Sequence, residues 1–443
     1  MDYARRVRSF SDQWGLYHGV KFFNILREHY PGPGPILPNL QHLELTNTTL
    51  SPYKEMFVHP TLSSLAILPN TYQSFPWNEL SGTLPTLVML TTFCAETIAL
   101  PTHIFDQLSQ LSHLRILSLR FISKDYENYT SHCHGRFLAL EQLKVWCCAN
   151  MPTQPSLFAS PSISVDGVSS KFPSLALSNL IGSISAPRLA KLSVYVYNST
   201  SWNSLCPVLC KFQRLEELSL QFQSPFFESD IASHGDVNVA SLCSLRSIRS
   251  FFVSGLPIRL NSPHWNAMAF AWQMIQSLKI KSSHGLPRIP IDDLVIFAWH
   301  CPRLENLTIE IEPVEADWIW ETGDFEELEV PPSPITNLNL QDSIFHPDAA
   351  AQVAVFLAHA FPSATIYHGS GTKAGSVFKK ILEFRSYLVP PSEKDNEGRP
   401  SRSTDTPPSR MTRTSKRHKR DEIMRQIAEL EAGTMTSAPM QVV

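Results

Sequence analysis

Residues 302–309 read PRLENLTI, a pattern that indicates one repeating unit of the fold. In its second half the apolar residues Leu307 and Ile309 alternate with polar ones. Alternation with a period of two residues is typical of a β-strand that buries one face and exposes the other. We therefore expect Leu307 and Ile309 to point into a core. The polar residues between and after them, through Glu310, are expected to point to solvent.

The same phrase recurs along the chain: an apolar residue, two variable residues, a second apolar residue, one variable residue and a third apolar residue. Neighbouring copies start 22 to 31 residues apart, except across one gap of 49 residues, and FPSATIYH (361–368) continues the series in decayed form. Self-similarity at a nearly fixed period indicates repeats that stack on their neighbours. The first apolar residue of each copy is expected at Leu40, Leu62, Leu87, Leu114, Leu140, Leu189, Leu215, Leu245, Ile275, Leu304 and Ile335.

Helix-like apolar stretches separate the phrases, for example DDLVIFAWHC (292–301) and DAAAQVAVFLAHAF (348–361). Asp292 is expected to cap the first of these helices, because aspartate accepts hydrogen bonds from the free amides of a first turn. A helix followed by a short strand, in units of roughly 25 to 30 residues, matches the long class of leucine-rich repeats. The sequence therefore predicts an α/β leucine-rich-repeat solenoid, with a curved parallel sheet and helices on its convex side.

The gap of 49 residues spans about two repeat periods and contains the Ser/Pro-rich stretch 152–174. Two explanations stay open, a degenerate repeat and a long loop.

Three regions follow from the whole pattern: an N-terminal helical cap (1–30), the solenoid (31–388) and a tail (389–443) that is rich in Pro, Ser, Thr and charge. Such a tail buries too little apolar surface to offset chain entropy, so we expect it to be disordered.

Composition excludes some classes of function without identifying the function. The 37 basic and 40 acidic residues give a formal net charge of -3, so no overall field draws the chain to nucleic acid or to an anionic membrane. The eight cysteines form no CxxC pair, which favours reduced, buried thiols. Without a signal-peptide core or an apolar stretch of membrane-spanning length, we expect an intracellular protein, cytoplasmic or nuclear.

With this repeated phrase and MDYARRVRSF at residues 1–10, the sequence resembles the leucine-rich-repeat region of the F-box proteins that fungi encode in large numbers. The resemblance covers the chain to about residue 385. In that family the region follows an F-box domain, which docks on the Skp-type adaptor of a cullin ubiquitin ligase, and the repeats recruit the substrate. The resemblance therefore implies a protein-binding module of the substrate-receptor kind.

No LPxE-like, three-helix F-box segment stands in this sequence. A Skp-type adaptor is accordingly an expected partner only if an F-box is present upstream. The chain is then either a truncated member of the family or a repeat protein that has lost adaptor docking. A scaffold or nuclear regulatory protein without any ligase role is the alternative function.

Outward strand residues are the first candidate binding site, because repeat arrays usually bind along the concave sheet. Taken one at a time, each is better explained as the solvated half of an alternating strand. Together they outline a mixed-charge surface, unlike the cationic stripe that follows a phosphate backbone. The candidate residues are Arg120, Lys144, Trp146, Lys191, Tyr195, Tyr197, Glu217, Gln221, Lys279 and Lys281.

An acidic segment, residues 310–329, is the second candidate. It contains no Lys or Arg, and its carboxylates and indoles could clamp a basic peptide. The alternative is a solvated insertion whose tryptophans fold back onto the flank of the solenoid. The residues concerned are Glu315, Asp317, Trp318, Trp320, Glu321 and Asp324.

A basic run in the tail, SKRHKR, is a candidate nuclear-import or anion-binding patch through Lys416, Arg417, Lys419 and Arg420, although such short runs are common by chance. No catalytic constellation is found. GSGTKAG (369–375) does not satisfy the phosphate-loop pattern, and the pair Cys206 and Cys210 lacks a second pair at zinc spacing. We therefore expect a protein that is not an enzyme and that needs neither a metal nor a cofactor.

Overall fold

The computed structural model describes residues 4–11, 24–25, 27–29, 35–45, 54–68, 75, 77–122, 137–148, 173–196, 202–222, 239–255, 260–281, 288–318, 333–346 and 348–368. The chain divides into two compact units. The first comprises residues 1–259 and 282–286, and the second comprises residues 260–281 and 287–443. Within each unit, strands that follow one another along the chain pair in parallel.

The first unit contains nine strands among its described residues, joined by short helices and turns. Its strands are β1 (Ser9–Ser11), β2 (His42–Leu45), β3 (Ser64–Ile67), β4 (Thr92–Ala99), β5 (Ile116–Ile122), β6 (Gln142–Cys148), β7 (Lys191–Val196), β8 (Glu217–Phe222) and β9 (Ser250–Ser254). Its helices are α1 (Lys54–Phe57), α2 (Trp77–Ser81), α3 (Thr102–Ser109), α4 (Pro173–Ser183) and α5 (Trp202–Leu209), with 3-10 turns at Ala4–Arg6, Leu84–Thr86 and Val239–Ser244.

The second unit has four strands and three α-helices among its described residues. The strands are β10 (Ser277–Lys281), β11 (Asn306–Thr308), β12 (Asn337–Asn339) and β13 (Thr365–Tyr367). The helices are α6 (Ser262–Ala271), α7 (Leu294–His300), which is preceded by a 3-10 turn at Ile291–Asp293, and α8 (Ala350–Ala360). A helix precedes β10, β11 and β13, as the repeat predicts, while part of the connection between β11 and β12 lies outside the described residues.

The core consists of the inward residues of the phrase together with apolar helix residues. All eleven residues expected to start a phrase are buried, including Leu140 and Leu304 at 0% exposure. The amide of Leu304 donates to the carbonyl of Cys301 at 3.0 Å, which closes a tight turn before the strand. The amides of Glu305 and Asn306 then share the carbonyl of Gln276 in the preceding repeat, at 2.9 and 3.0 Å. Because these amides find partners in the neighbouring repeat, each repeat fixes the register of the next. The leucine-rich-repeat fold class is confirmed.

Two of the phrases start three residues later than predicted. Leu65 pairs with Phe93, and Leu218 pairs with Phe251, so the phrases of β4 and β9 begin at Leu90 and Ile248 instead of Leu87 and Leu245. Both segments carry apolar residues at two overlapping registers, and all of these are buried. Only the later start also puts apolar residues, Ala95 and Val253, at the third position of the phrase, and strand pairing takes this register.

Strand pairing also decides the gap of 49 residues. β6 pairs directly with β7, and Gln142 lies opposite Lys191. A degenerate repeat would have placed its own strand between these two. The gap therefore holds an inserted connection that includes α4, while residues 149–172 lie outside the described part.

The boundaries of the predicted regions differ at the N-terminus. β1, at Ser9–Ser11, already pairs with β2, so the sheet begins inside the region predicted as a helical cap. Residues 24–25 and 27–29 are helical. At the other end the described repeats reach residue 368, and the predicted tail (389–443) lies outside the described residues.

Candidate functional site

A stacked aromatic pair lies on the exposed face of the first unit. β6 and β7 place Trp146 and Tyr195 opposite each other, and their rings stack 4.7 Å apart at an angle of 8°. Neither residue is fully buried. The alternation of the strands explains the placement, because Val145 and Val194 beside them point inward and are buried. Two large aromatic surfaces are therefore held rigidly at the solvent side of the sheet.

Lys144 lies over the Trp146–Tyr195 pair and forms an ion pair with a carboxylate. Its Nζ lies 4.1 Å from the centre of the Trp146 ring and 5.5 Å from that of Tyr195. The same Nζ is 3.1 Å from Oε1 of Glu96, which also accepts a hydrogen bond from the Ser118 hydroxyl. Cation–π attraction and the ion pair act on one ammonium group, so they hold it in place together. We call Glu96, Ser118, Lys144, Trp146 and Tyr195 the aromatic cluster.

The other predicted residues of the first unit surround the aromatic cluster. Arg120 and Gln221 lie in the same register row as Trp146 and Tyr195, one strand to either side. Lys191 and Glu217 face each other two outward rows away, and Lys191 Nζ is 2.6 Å from Glu217 Oε1. The structure therefore brings together all the candidate residues of this unit except Tyr197, which lies outside the described residues.

Sequence reasoning missed Glu96 and Ser118. Glu96 follows the inward residues Phe93 and Ala95 of β4, and with the phrase placed three residues early this outward position was not identified. The alternation in TFCAE (92–96) was the signal that could have found it. Ser118 is buried although its strand position is outward, because it lies beneath the ion pair of Glu96 and Lys144.

Cys94 lies beside the aromatic cluster, where its thiol is hydrogen-bonded with Ser118 and feels the charges of Glu96 and Lys144. Burial, followed by the charge of Glu96, raises the pKa of its thiol to about 11. The thiol is therefore protonated at neutral pH, which is the unreactive form. Among the described residues no group of three His, Cys, Asp or Glu side chains could hold a metal ion.

The remaining candidate residues, Lys279 and Lys281, lie on the exposed face of the second unit, where both are exposed. Glu310 was expected on this same face but is buried, at 5% exposure. It pairs with Arg288, whose Nη2 and Nε each lie 2.7 Å from Glu310 Oε1. The expectation for Glu310 was wrong because β11 ends at Thr308, so the strand alternation no longer governs residue 310.

The described part of the acidic segment ends at Trp318. Glu315 and Asp317 are exposed, whereas the Trp318 ring packs edge-on against Phe356 of α8 at 5.9 Å and its side chain is hydrogen-bonded to Asp292. Burial raises the pKa of the Asp292 carboxyl, and the Trp318 hydrogen bond lowers it in part. Trp318 thus contacts the helical side of the repeat, the arrangement that the fold-back alternative predicts.

Asp292 does not cap a helix as expected. The helical segment starts with the 3-10 turn Ile291–Asp293, and no side chain caps that turn or the start of α7. The carboxylate is instead engaged by Trp318. Trp320, Glu321 and Asp324, and the basic-run residues Lys416, Arg417, Lys419 and Arg420, all lie outside the described residues. In the part that the structure describes, no helix is long and apolar enough to cross a membrane.

The repeat and the parallel register define a leucine-rich-repeat protein. No protein-family model and no curated protein matches the sequence. Among solved structures, a leucine-rich-repeat protein of Leptospira interrogans is 12% identical over 75% of this chain and 79% of its own, with a TM-score of 0.32.

Two further structures are similar at the same level. A leucine-rich-repeat-containing protein from Legionella pneumophila is 11% identical over 76% of this chain and 96% of its own, with a TM-score of 0.37. The TLR13–ssRNA13 complex is 14% identical over 83% of this chain and 52% of that chain, with a TM-score of 0.40. These likenesses concern the fold alone, and the class follows from this chain's own repeat and register.

Proposed function

We propose that this protein is a binding module that holds a protein partner on the exposed sheet face of the first unit. The stacked pair Trp146 and Tyr195 carries this proposal. Aromatic side chains provide much of the binding energy at protein interfaces, because they offer a large contact area with few rotatable bonds. Here each ring is already held by the other and by Lys144, so partner binding costs little side-chain entropy at these two residues.

The charges around the aromatic cluster favour a protein over a nucleic acid. Lys144 pairs with Glu96, and Lys191 pairs with Glu217, so both lysines of these rows are neutralised by carboxylates. A nucleic-acid surface needs cations that replace counterions along the phosphates. Paired charges on either side of an aromatic centre are instead typical of the polar surroundings of a protein interface.

Affinity capture tests this proposal most simply. The wild-type protein and the double variant Trp146→Ala with Tyr195→Ala are used as baits in lysate of the source cells, and the captured proteins are quantified by mass spectrometry. We expect at least one partner to fall by about tenfold or more with the double variant, as loss of an interface hot spot predicts. An unchanged set of partners would exclude this face as the binding surface.

Phe270→Ala is the matched control. Phe270 is an aromatic residue with 56% exposure, and it lies on helix α6 of the second unit instead of on a strand. Removing it should leave capture unchanged. Thermal unfolding of all baits, followed by circular dichroism, separates lost contacts from lost structure.

We further propose that the bound protein is a substrate of an F-box-type ubiquitin ligase. The support is the resemblance of residues 1–385 to the repeat region of fungal F-box proteins. Copurification from source cells tests it, with the product of the full-length native transcript as bait. Recovery of a Skp-type adaptor is expected, and its absence would count against the ligase role.

A non-ligase scaffold or nuclear regulatory protein is the alternative, supported by the basic run SKRHKR in the tail. Its test is the location of a fluorescent fusion with Lys416, Arg417, Lys419 and Arg420 changed to Ala. Loss of nuclear signal would favour this alternative. An unchanged distribution would leave the basic run without an import role.

A further inference from the structure

Large apolar side chains are exposed at one edge of the first unit's sheet. Val88 and Met89, in the turn before β4, are 54% and 53% exposed, and Leu138, in the turn before β6, is 54% exposed. Ile116, at the start of β5, is 36% exposed. Because β4, β5 and β6 are parallel neighbours, their starts lie at the same edge of the sheet. We call these four residues the apolar rim.

The apolar rim is a local concentration of exposed apolar surface. Among the described residues of the first unit, five large apolar side chains are exposed, and four of them belong to the rim. The fifth, Ile25, lies outside the described strands of the sheet. Exposed apolar residues that occur singly need no explanation, whereas a group at one place marks an interaction surface.

The other repeats carry polar residues or proline at the same positions. Val88 and Leu138 stand two residues before the start of their phrases, where every other repeat from β2 to β12 has Pro, Ser, Gln or Arg. Stacking of the repeats therefore does not require an apolar side chain there. In the row of Ile116, the other strands of the first unit carry only polar residues, namely Ser9, His42, Ser64, Thr92, Gln142, Lys191, Glu217 and Ser250.

The charges beside the apolar rim are paired. Arg115 Nη1 lies 3.9 Å from Glu141 Oε1, and both side chains are about half exposed or more. Arg115 directly precedes Ile116, and Glu141 lies three residues after Leu138. Because the two charges offset each other, this edge selects neither an anion nor a cation. It favours an occupant that supplies apolar side chains.

The apolar rim is continuous with the aromatic cluster. Ser118 of the cluster follows Ile116 on the same face of β5, about 7 Å along the strand. Gln142 of β6 lies opposite Ile116, and Trp146 stands four residues further on, about 13 Å away. Roughly four residues of an extended peptide span that distance. One partner segment can therefore contact the rim and the stacked rings together.

We propose that the apolar rim binds apolar side chains of the protein partner held by the aromatic cluster. This inference rests on the proposed function and specifies the chemistry of the partner. The partner carries Leu, Ile, Met or Phe about four residues from the part that contacts Trp146. Binding is favourable because the apolar surfaces of both proteins leave water.

Selection from a phage-displayed library of short random peptides tests the inference on the full chain. The enriched peptides are synthesised with a fluorescent label, and their affinities are measured by fluorescence polarisation. We expect Leu, Ile, Met or Phe to be enriched over the unselected library. The variant Val88→Ser with Leu138→Ser should weaken these peptides by about tenfold or more, because two apolar contacts are lost.

Serine is a fitting replacement, since Ser112 and Ser333 occupy the same position in the repeats of β5 and β12. Ile344→Ser is the matched control, because Ile344 is an apolar residue of the second unit with 58% exposure. It should leave the affinities unchanged. Peptides without apolar enrichment, or an equal loss in the control and the rim variant, would overturn the inference.

Two other occupants of the apolar rim are tested with the same variant. Urea unfolding of Val88→Ser with Leu138→Ser should match that of the wild type, because exposed side chains contribute little to the fold. A clearly lowered midpoint would mean that another segment of this chain covers the rim. Sedimentation velocity should show the same species for both proteins. A wild-type dimer that the variant loses would make a second copy the occupant, and either result would overturn the inference.

The variant Trp146→Ala with Tyr195→Ala, measured on the same peptides, separates this inference from the proposed function. Loss of binding in this variant but not in the rim variant would overturn the inference and leave the proposed function standing. Loss in the rim variant alone would support the apolar rim and remove the aromatic cluster from the interface. Loss in both variants is the expected result.

Discussion

The two units expose sheet faces of the same construction but place their carboxylates differently. In the first unit Lys144 and Lys191 reach carboxylates at 3.1 and 2.6 Å, and Lys144 also covers an aromatic ring. In the second unit Glu310, which strand alternation would have placed among the lysines, is buried against Arg288. In a repeat fold the outward positions can vary in sequence. The charge of each face therefore depends on whether the nearby carboxylates are exposed on it or buried.

The largest effect is expected from the core that both faces share. Leu143→Ala in β6 and Leu307→Ala in β11 each remove a fully buried side chain from equivalent positions of the phrase. Each should lower the free energy of unfolding by about 3 kcal/mol, as a cavity in a packed core does. Urea denaturation measures this. A loss below about 1 kcal/mol at either position would contradict the equivalence of the two registers.

Arg288→Met tests whether the ion pair with Arg288 stabilises the buried position of Glu310. The change leaves a carboxylate with 7% side-chain exposure without its cation, which should cost about 2 kcal/mol because Arg288 itself is partly exposed. The double variant Arg288→Met with Glu310→Met should recover most of this loss. Urea denaturation of both variants measures these changes in the free energy of unfolding. Equal stability of the single variant and the wild type would contradict the stabilising role of the ion pair.

Lys144→Met removes the cation that joins Glu96 to the aromatic rings. Both side chains of the ion pair are about 30% exposed, so we expect a loss of about 1 kcal/mol from the pair and the cation–π contact together. A double-mutant cycle with Glu96→Gln measures the coupling. Additive effects of the two changes would show that the pair does not act as a unit.

The smallest effect is expected at Lys191→Met. Lys191 and Glu217 are each about half exposed, so solvent screens their attraction despite the short distance. The free energy of unfolding should change by less than about 0.5 kcal/mol. A larger change would mean that this ion pair contributes to the fold, and the contrast drawn with Lys144 would fail.

The inward half of the fold was predictable from the sequence, and the outward half was predictable only in part. Leu140 and Leu304 follow from periodicity, because an apolar residue at a repeated position has one favourable place, the core. Leu87 and Leu90 are both apolar and both become buried, but only a start at Leu90 puts an apolar residue, Ala95, at the third position of the phrase. Strand pairing takes this later start.

The candidate site could likewise be predicted from the sequence only in part. Trp146 and Tyr195 were identified from alternation, but their stacking depends on which strands are neighbours across a gap of 49 residues. Glu310 was misplaced because alternation was extended past the end of β11. The partnership of Glu96 with Lys144 joins residues 48 positions apart, and no local pattern records a contact of that kind.

Site-specific photo-crosslinking in source cells tests whether the strand face of the first unit holds the partner. A benzophenone amino acid is placed at Gln221, which neighbours Tyr195 on the strand face, or at His103, which is exposed on α3 of the same unit. We predict a discrete protein adduct from position 221 and none from position 103. Adducts from position 103 alone would contradict the claim that the strand face of the first unit holds the partner.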